Sequence, residues 1–140
     1  MKSTIRCLVH PTEDIQRIEA AIENLLGPIT LSRTEFNEFT EIHSTETDKI
    51  GFAILKQSIH DKRILAAVRV RLLKNLDEFT TYIFFDKQAA YAGKLRLIDN
   101  THEEPPLGSI EIKFDFKSES QFEEFLDWFS PRTKDGRIIT

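Results

Sequence analysis

A chain of 140 residues with 40% apolar side chains is the length of one domain and can bury about two-thirds of its unfolded surface without a covalent staple. The net charge of −4, one cysteine and no apolar run approaching about 18 residues exclude a disulfide scaffold and a membrane-spanning helix. Met1 to Val9 is not a basic, apolar, small-residue leader, and one free thiol suits a reducing compartment, so the expectation is a cytoplasmic protein.

Eleven phenylalanines against one tryptophan and two tyrosines favour a sheet carrying helices over a pure bundle. Charge is unevenly spread. From Lys56 to Arg96 nine cations stand against four acids, while both flanks are acidic. A basic middle folded onto one face can hold a polyanion, although such clusters are more often solvated helix faces.

Ile5, Cys7 and Val9 alternate with Thr4, Arg6 and His10, with Leu8 breaking the pattern, which predicts a strand ending at His10-Pro11. Thr12 then offers a cap, and Ile15, Ile18, Ile22, Leu25 and Leu26 recur at helical spacing up to Gly27-Pro28. Ile29 to Ser32 and Phe36 to His43 read as strands of undefined register. Ser44 or Thr47 is the expected cap of a helix bearing Ile50, Ile54, Leu55 and Ile59. A further helix carries an apolar stripe of Ile64, Leu65, Val68, Leu72 and Leu73, with Lys62, Arg63, Arg69 and Lys74 turned wholly or partly from it.

Three strands follow, Phe79 to Asp86, Lys94 to Ile98 and Leu107 to Phe116, the last alternating apolar residues with Glu111, Lys113 and Asp115 and therefore expected to be half exposed. Between the first two, Asp86 is suited to cap a short helical turn and Gly93 to end it in the left-handed conformation. That turn either packs against the body or presents Lys87, Gln88 and Lys94 to a ligand. Asn100 to Pro106 is an acidic, proline-bearing loop. Ser118 or Ser120 caps a last helix with Phe122, Phe125, Leu126 and Phe129 on its apolar face and Trp128 near its end, and Pro131 stops it. The predicted domain is 1–136, with 137–140 a polar, partly mobile tail.

Motifs for chemistry are sparse. Cys7 and His10 have a metal-like spacing, but residues three apart on a strand face opposite ways, so no metal is expected. His43, His60 and His102 lie in different elements. Ser58, His60 and Asp61 are neighbours, and a triad needs side chains converging from separate segments. Glu103-Glu104 and Glu123-Glu124 read as solvated acids. No glycine-rich phosphate loop is present, so no cofactor is expected and the chain does not read as an enzyme.

Several stretches taken in order are specific: Pro11-Thr12-Glu13-Asp14, Arg63-Ile64-Leu65 with Arg69, Lys87-Gln88-Ala89-Ala90 with Gly93-Lys94, Pro106-Leu107-Gly108 with Ile110, and Trp128, Pro131, Thr133, Asp135 and Gly136. Through them the chain resembles, from about Thr4 to Gly136, an uncharacterised archaeal family grouped as RNA-binding proteins. Its fold is similar to that of ribosomal protein L-five. The resemblance implies a single α+β domain with a mixed, largely antiparallel sheet and helices mainly on one face, and RNA as the suspected ligand. The chain departs from the family's pattern at Ala66, where an acid is usual, and at Asp86, where an asparagine is usual.

The favoured reading is a non-catalytic RNA-binding protein in which Arg63, Arg69, Lys87 and Lys94 contact phosphates and Gln88 reaches a base edge or a sugar hydroxyl. Tyr91 is either a stacking ring or a core ring with its hydroxyl at the surface. The rival reading is an interaction module that docks on a protein or pairs as a homodimer through an exposed strand such as Leu107 to Phe116.

Overall fold

Strand β1 (Lys2–Val9) is the sequence alternation made physical: Ile5, Cys7 and Val9 enter the core while Thr4 and Arg6 face the other way. A computed structural model describes residues 1–99, 108–135 and 137–139. β1 is followed by α1 (Ile15–Leu26), the hairpin β2 (Ser32–Phe36) and β3 (Phe39–Glu46), a 3-10 turn (Lys49–Phe52), α2 (Ala53–Asp61) and α3 (Leu65–Lys74). Then come β4 (Thr80–Asp86), α4 (Lys87–Tyr91), β5 (Leu97–Ile98), β6 (Ser109–Asp115), α5 (Glu119–Phe129), and a small hairpin of β7 (Thr133–Lys134) and β8 (Arg137–Ile138).

The main sheet has six strands in the order β2-β3-β1-β6-β4-β5. Every described pairing in it is antiparallel, so the α+β domain holds and the mixed character does not appear. Register puts Ile5 opposite Ile112, and Ile112 opposite Ile83. These join Cys7, Ile42, Phe85, Ile110 and Phe114 in one cluster with the buried residues of α1, α2, α3 and α5, so those helices cover one face. Phe114 is a hub, with its ring centroid 4.8 Å from Phe125, 5.2 Å from Phe52 and 6.0 Å from Phe129. The opposite face carries charge: Arg6 lies 3.0 Å from Glu41 and 3.5 Å from Glu111.

Several expectations are corrected. β6 is partly exposed only at Lys113 and Asp115: Glu111, on the same face, is buried, and the strand is paired on both sides, with β1 and with β4. The docking or homodimer surface placed on Leu107 to Phe116 therefore has no free edge between Glu111 and Asp115. α1 is capped by Asp14, which accepts from Gln16 N, while Thr12 hydrogen-bonds the His10 ring instead. Asp48, not Ser44 or Thr47, caps the 3-10 turn through Ile50 N. Ser118 caps α5 through Gln121 N. The expected tail begins inside β8, which pairs back on β7. The Asn100 to Pro106 loop and His102 lie outside the described residues.

Cys7 and His10 do not converge: the thiol is fully buried, whereas His10 is exposed and meets Phe39 edge to face. Burial pushes the Cys7 thiol up to about 12, opposed by the nearby Lys87 charge. A thiol reagent at pH 8 is therefore expected to label Cys7 only at the rate of global unfolding; labelling within seconds in native buffer would show that β1 opens locally. The sign of the linkage follows from the raised value. Between the ordinary thiol range and about 12 the unfolded chain loses this proton first, so stability falls as pH rises through that window.

Candidate nucleic-acid interface

The turn after β4 forms as its sequence dictates. Asp86 Oδ2 accepts from Ala89 N at 2.8 Å, and α4 ends with Gly93 at φ 76°, where Gly93 N donates to Ala90 O and Lys94 N to Ala89 O. This is a paired left-handed helix stop, and it leaves Lys94 exposed. Asn24 of α1 clamps the turn by donating to the carbonyls of Ala90 and Tyr91. The carboxylate of Asp86 is thus occupied as a cap.

Lys87 is the correction that matters most. Its side chain is only 4% exposed, and its ammonium donates to Leu8 O at 2.9 Å and to Glu13 Oε1 at 2.8 Å. It ties α4 to the end of β1 and the start of α1, which spends two of its three N–H donors and keeps it out of the phosphate-contacting set. Gln88 and Tyr91 remain on the surface, Tyr91 at 45% exposure, which rules out the core-ring alternative. Arg17 of α1, which the sequence reading missed, holds its guanidinium 5.5 Å from the Tyr91 ring centroid. Arg17, Gln88 and Tyr91 share a groove of about 450 Å³ with Glu13 and Asp14.

The basic helix divides in the same way. Arg69 is 14% exposed and donates to Asp127 at 2.9 Å and to Ser130 O at 3.0 Å, which pins α3 to the end of α5 and removes Arg69 from the phosphate-contacting set. Arg71 lies 3.2 Å from Asp99. Arg63 is exposed at the corner between α2 and α3, well away in sequence from the α4 turn and not part of its groove. Trp128 has two ammonium groups near its ring, Lys49 and Lys56, each 5.4 Å from the centroid. Among the described residues no group of three or more His, Cys, Asp or Glu could hold a metal ion, and no helix is long and apolar enough to cross a membrane.

Comparison with known proteins bears on this arrangement. A family model described as RNA binding matches residues 3–116. A UPF0201 protein of Pyrococcus abyssi is 31% identical over 132 residues, covering 94% of this chain and 91% of its own, and one of Methanocaldococcus jannaschii is 32% identical over 140 residues, covering 99% and 78%. The crystal structure of a UPF0201 protein from Methanococcus jannaschii superposes with a TM-score of 0.84 at 30% identity over the whole of both chains. A DUF54 protein from Methanothermobacter thermautotrophicus shares the fold at a TM-score of 0.67 and 15% identity, covering 90% and 92%.

Proposed function

The chain belongs to the RNA-binding family and to the UPF0201 group of proteins, and from that premise we propose that it is a non-catalytic, cytoplasmic RNA-binding protein. The observation that carries the reading is the shoulder between α1 and α4, where an exposed ring, a guanidinium beside it and an amide stand together as Tyr91, Arg17 and Gln88. A ring with an open face stacks on a base, Gln88 offers both a donor and an acceptor to a base edge or a ribose hydroxyl, and Lys94 adds charge for the backbone. The acids in the groove have cations of their own: Glu13 is held by Lys87, and Asp14, the cap of α1, lies 3.9 Å from Arg17 and offsets part of its charge, so the ring and the amide carry the contact. A fold of the ribosomal protein L-five kind belongs to the same reading, supported by the antiparallel sheet with its helices gathered on one face.

Recovery of cross-linked RNA from cells expressing the protein tests the class of ligand, and the variants test the site. Tyr91→Ala is expected to weaken binding of the recovered RNA by about 1–3 kcal/mol with the salt slope unmoved. Lys94→Gln is expected to lower the slope of log affinity against log salt by about 0.7 to 1. Absence of RNA in the cross-linked fraction would reject the function; RNA binding indifferent to both variants would reject the shoulder.

A further inference from the structure

A second group of cations lies outside that groove. The α2–α3 corner and the β7–β8 hairpin enclose a cleft of about 560 Å³ lined by His60, Arg63, Ala66, Thr133, Asp135 and Arg137, among others. Two arginines from segments far apart in sequence thus line it with one acid, Asp135, leaving positive charge in excess. Neither Arg63 nor Arg137 forms an ion pair with a described residue, in contrast to Arg6, Arg17, Arg33, Arg69 and Arg71.

The backbone beneath the cleft adds to this. Arg63 N donates to His60 O and Ile64 N to Ile59 O, both at 3.1 Å, so α2 ends in the same paired left-handed stop that α4 reaches with Gly93. Here the left-handed position, φ 58°, is filled by arginine rather than glycine, which keeps a cationic side chain at a place where backbone energetics favour none. One residue later α3 begins from Ile64, which makes no side-chain cap, and Leu65 and Ala66 of its first turn line the cleft. The first N–H groups of a helix lack partners within it, and Leu65 and Ala66, which bear two of them, line the same cleft as both arginines and His60.

We propose that this cleft is a phosphate-binding site for the RNA backbone, with Arg63 and Arg137 flanking one phosphate at the start of α3. This rests on the RNA-binding reading and extends it, because Thr133, Asp135 and Arg137 lie beyond the residues that match the family model.

Arg63→Gly gives a clean test, since glycine relaxes the left-handed position and cannot weaken the fold there through strain. Arg63→Gly, Arg137→Ala and their combination are compared with wild type for binding of a random-sequence single-stranded RNA 20-mer by fluorescence anisotropy from 50 to 300 mM KCl, alongside thermal melts. Amide shifts of Leu65 and Ala66 are followed in parallel on titration with inorganic phosphate. The expected result is an unchanged or higher melting temperature for Arg63→Gly, affinity lower by about tenfold in the double variant, and a salt slope shallower by about 0.7. Arg63→Lys with Arg137→Lys should restore most of the slope. Wild-type binding that all these variants retain overturns the cleft and leaves RNA binding standing. Shifts with inorganic phosphate but unchanged RNA affinity assign the cleft to the free ion and overturn the proposal. If the wild-type protein does not bind the 20-mer at 50 mM KCl, both readings fall.

Discussion

Replacing Lys87 with alanine is expected to lower the stability of the fold by about 3 kcal/mol while leaving the salt dependence of RNA binding where it was. The ammonium satisfies Leu8 O, a carbonyl at the end of the central β1 strand, and neutralises Glu13 in a place where Lys87 itself is almost without solvent contact. Truncation takes the cation from both, leaving Glu13 Oε1 the His10 N–H and Leu8 O the weak Cys7 thiol contact. The cost falls at the low end of the range for broken buried pairs because Glu13 keeps 26% exposure and rehydrates in part. Lys87→Met retains the aliphatic stem and should cost less, about 1–2 kcal/mol, through the loss of the ammonium from the carbonyl and the carboxylate alone. Urea denaturation with an unchanged m-value measures the difference. An unmoved midpoint together with a shallower salt slope would return Lys87 to the surface and to phosphate.

The α4 turn shows where reading the sequence succeeds and where it stops. Asp86 as cap and Gly93 as the left-handed terminator are local matters, decided by groups within three residues, and both were legible. The fate of Lys87 is decided by Glu13 and Leu8, which lie 74 and 79 positions earlier in the chain. Nothing near Lys87 distinguishes a lysine offered to solvent from one folded under. Arg69 was misplaced for the same reason, its partners Asp127 and Ser130 being 58 and 61 positions on. Of the residues first assigned to RNA, Arg63, Gln88, Tyr91 and Lys94 keep exposed side chains, and Arg17 and Arg137 join them only through tertiary contacts that periodicity does not carry.

Phase errors have a different cause. Ile50 and Ile54 were placed on a buried face with Leu55 and Ile59, yet Ile50 is 71% exposed and Phe52 is buried in their stead. The 3-10 turn Lys49–Phe52 winds with about three residues per turn, so a helical wheel begun at Ile50 runs out of step before α2 starts. Strand β6 illustrates a third limit. Alternation of Ile110, Ile112 and Phe114 with Glu111, Lys113 and Asp115 identifies the two faces correctly but is silent on whether the strand is central or at an edge. Its pairing with β1 depends on registers that only the assembled sheet sets.

Helix α3 permits a comparison of two valines two positions apart. Val68 is fully buried beside Leu65 and Leu72, whereas Val70, about 200° further round the helix, is 61% exposed. Val68→Asp is expected to abolish cooperative folding at pH 7, because a carboxylate with no partner in that position either stays charged in the core or takes up a proton. With its pKa raised by about 3 to 5 units, the penalty is about 4–7 kcal/mol, comparable with the whole stability of a domain this size. A raised carboxyl value means the native state holds the proton longer, so stability should fall as pH rises above about 4, and any residual structure should be greatest under mild acid. Val68→Ala separates charge from volume, at about 2 kcal/mol for the lost methyl groups and cavity. Val70→Asp is expected to stay within about 0.5 kcal/mol of wild type. Near-infrared or fluorescence detection is unnecessary for this contrast: far-ultraviolet circular dichroism melts of the three variants suffice. A Val68→Asp protein that melts cooperatively near the wild-type temperature would place that face of α3 in solvent, and with it would go the scaffold that holds Arg63 at the α2–α3 corner.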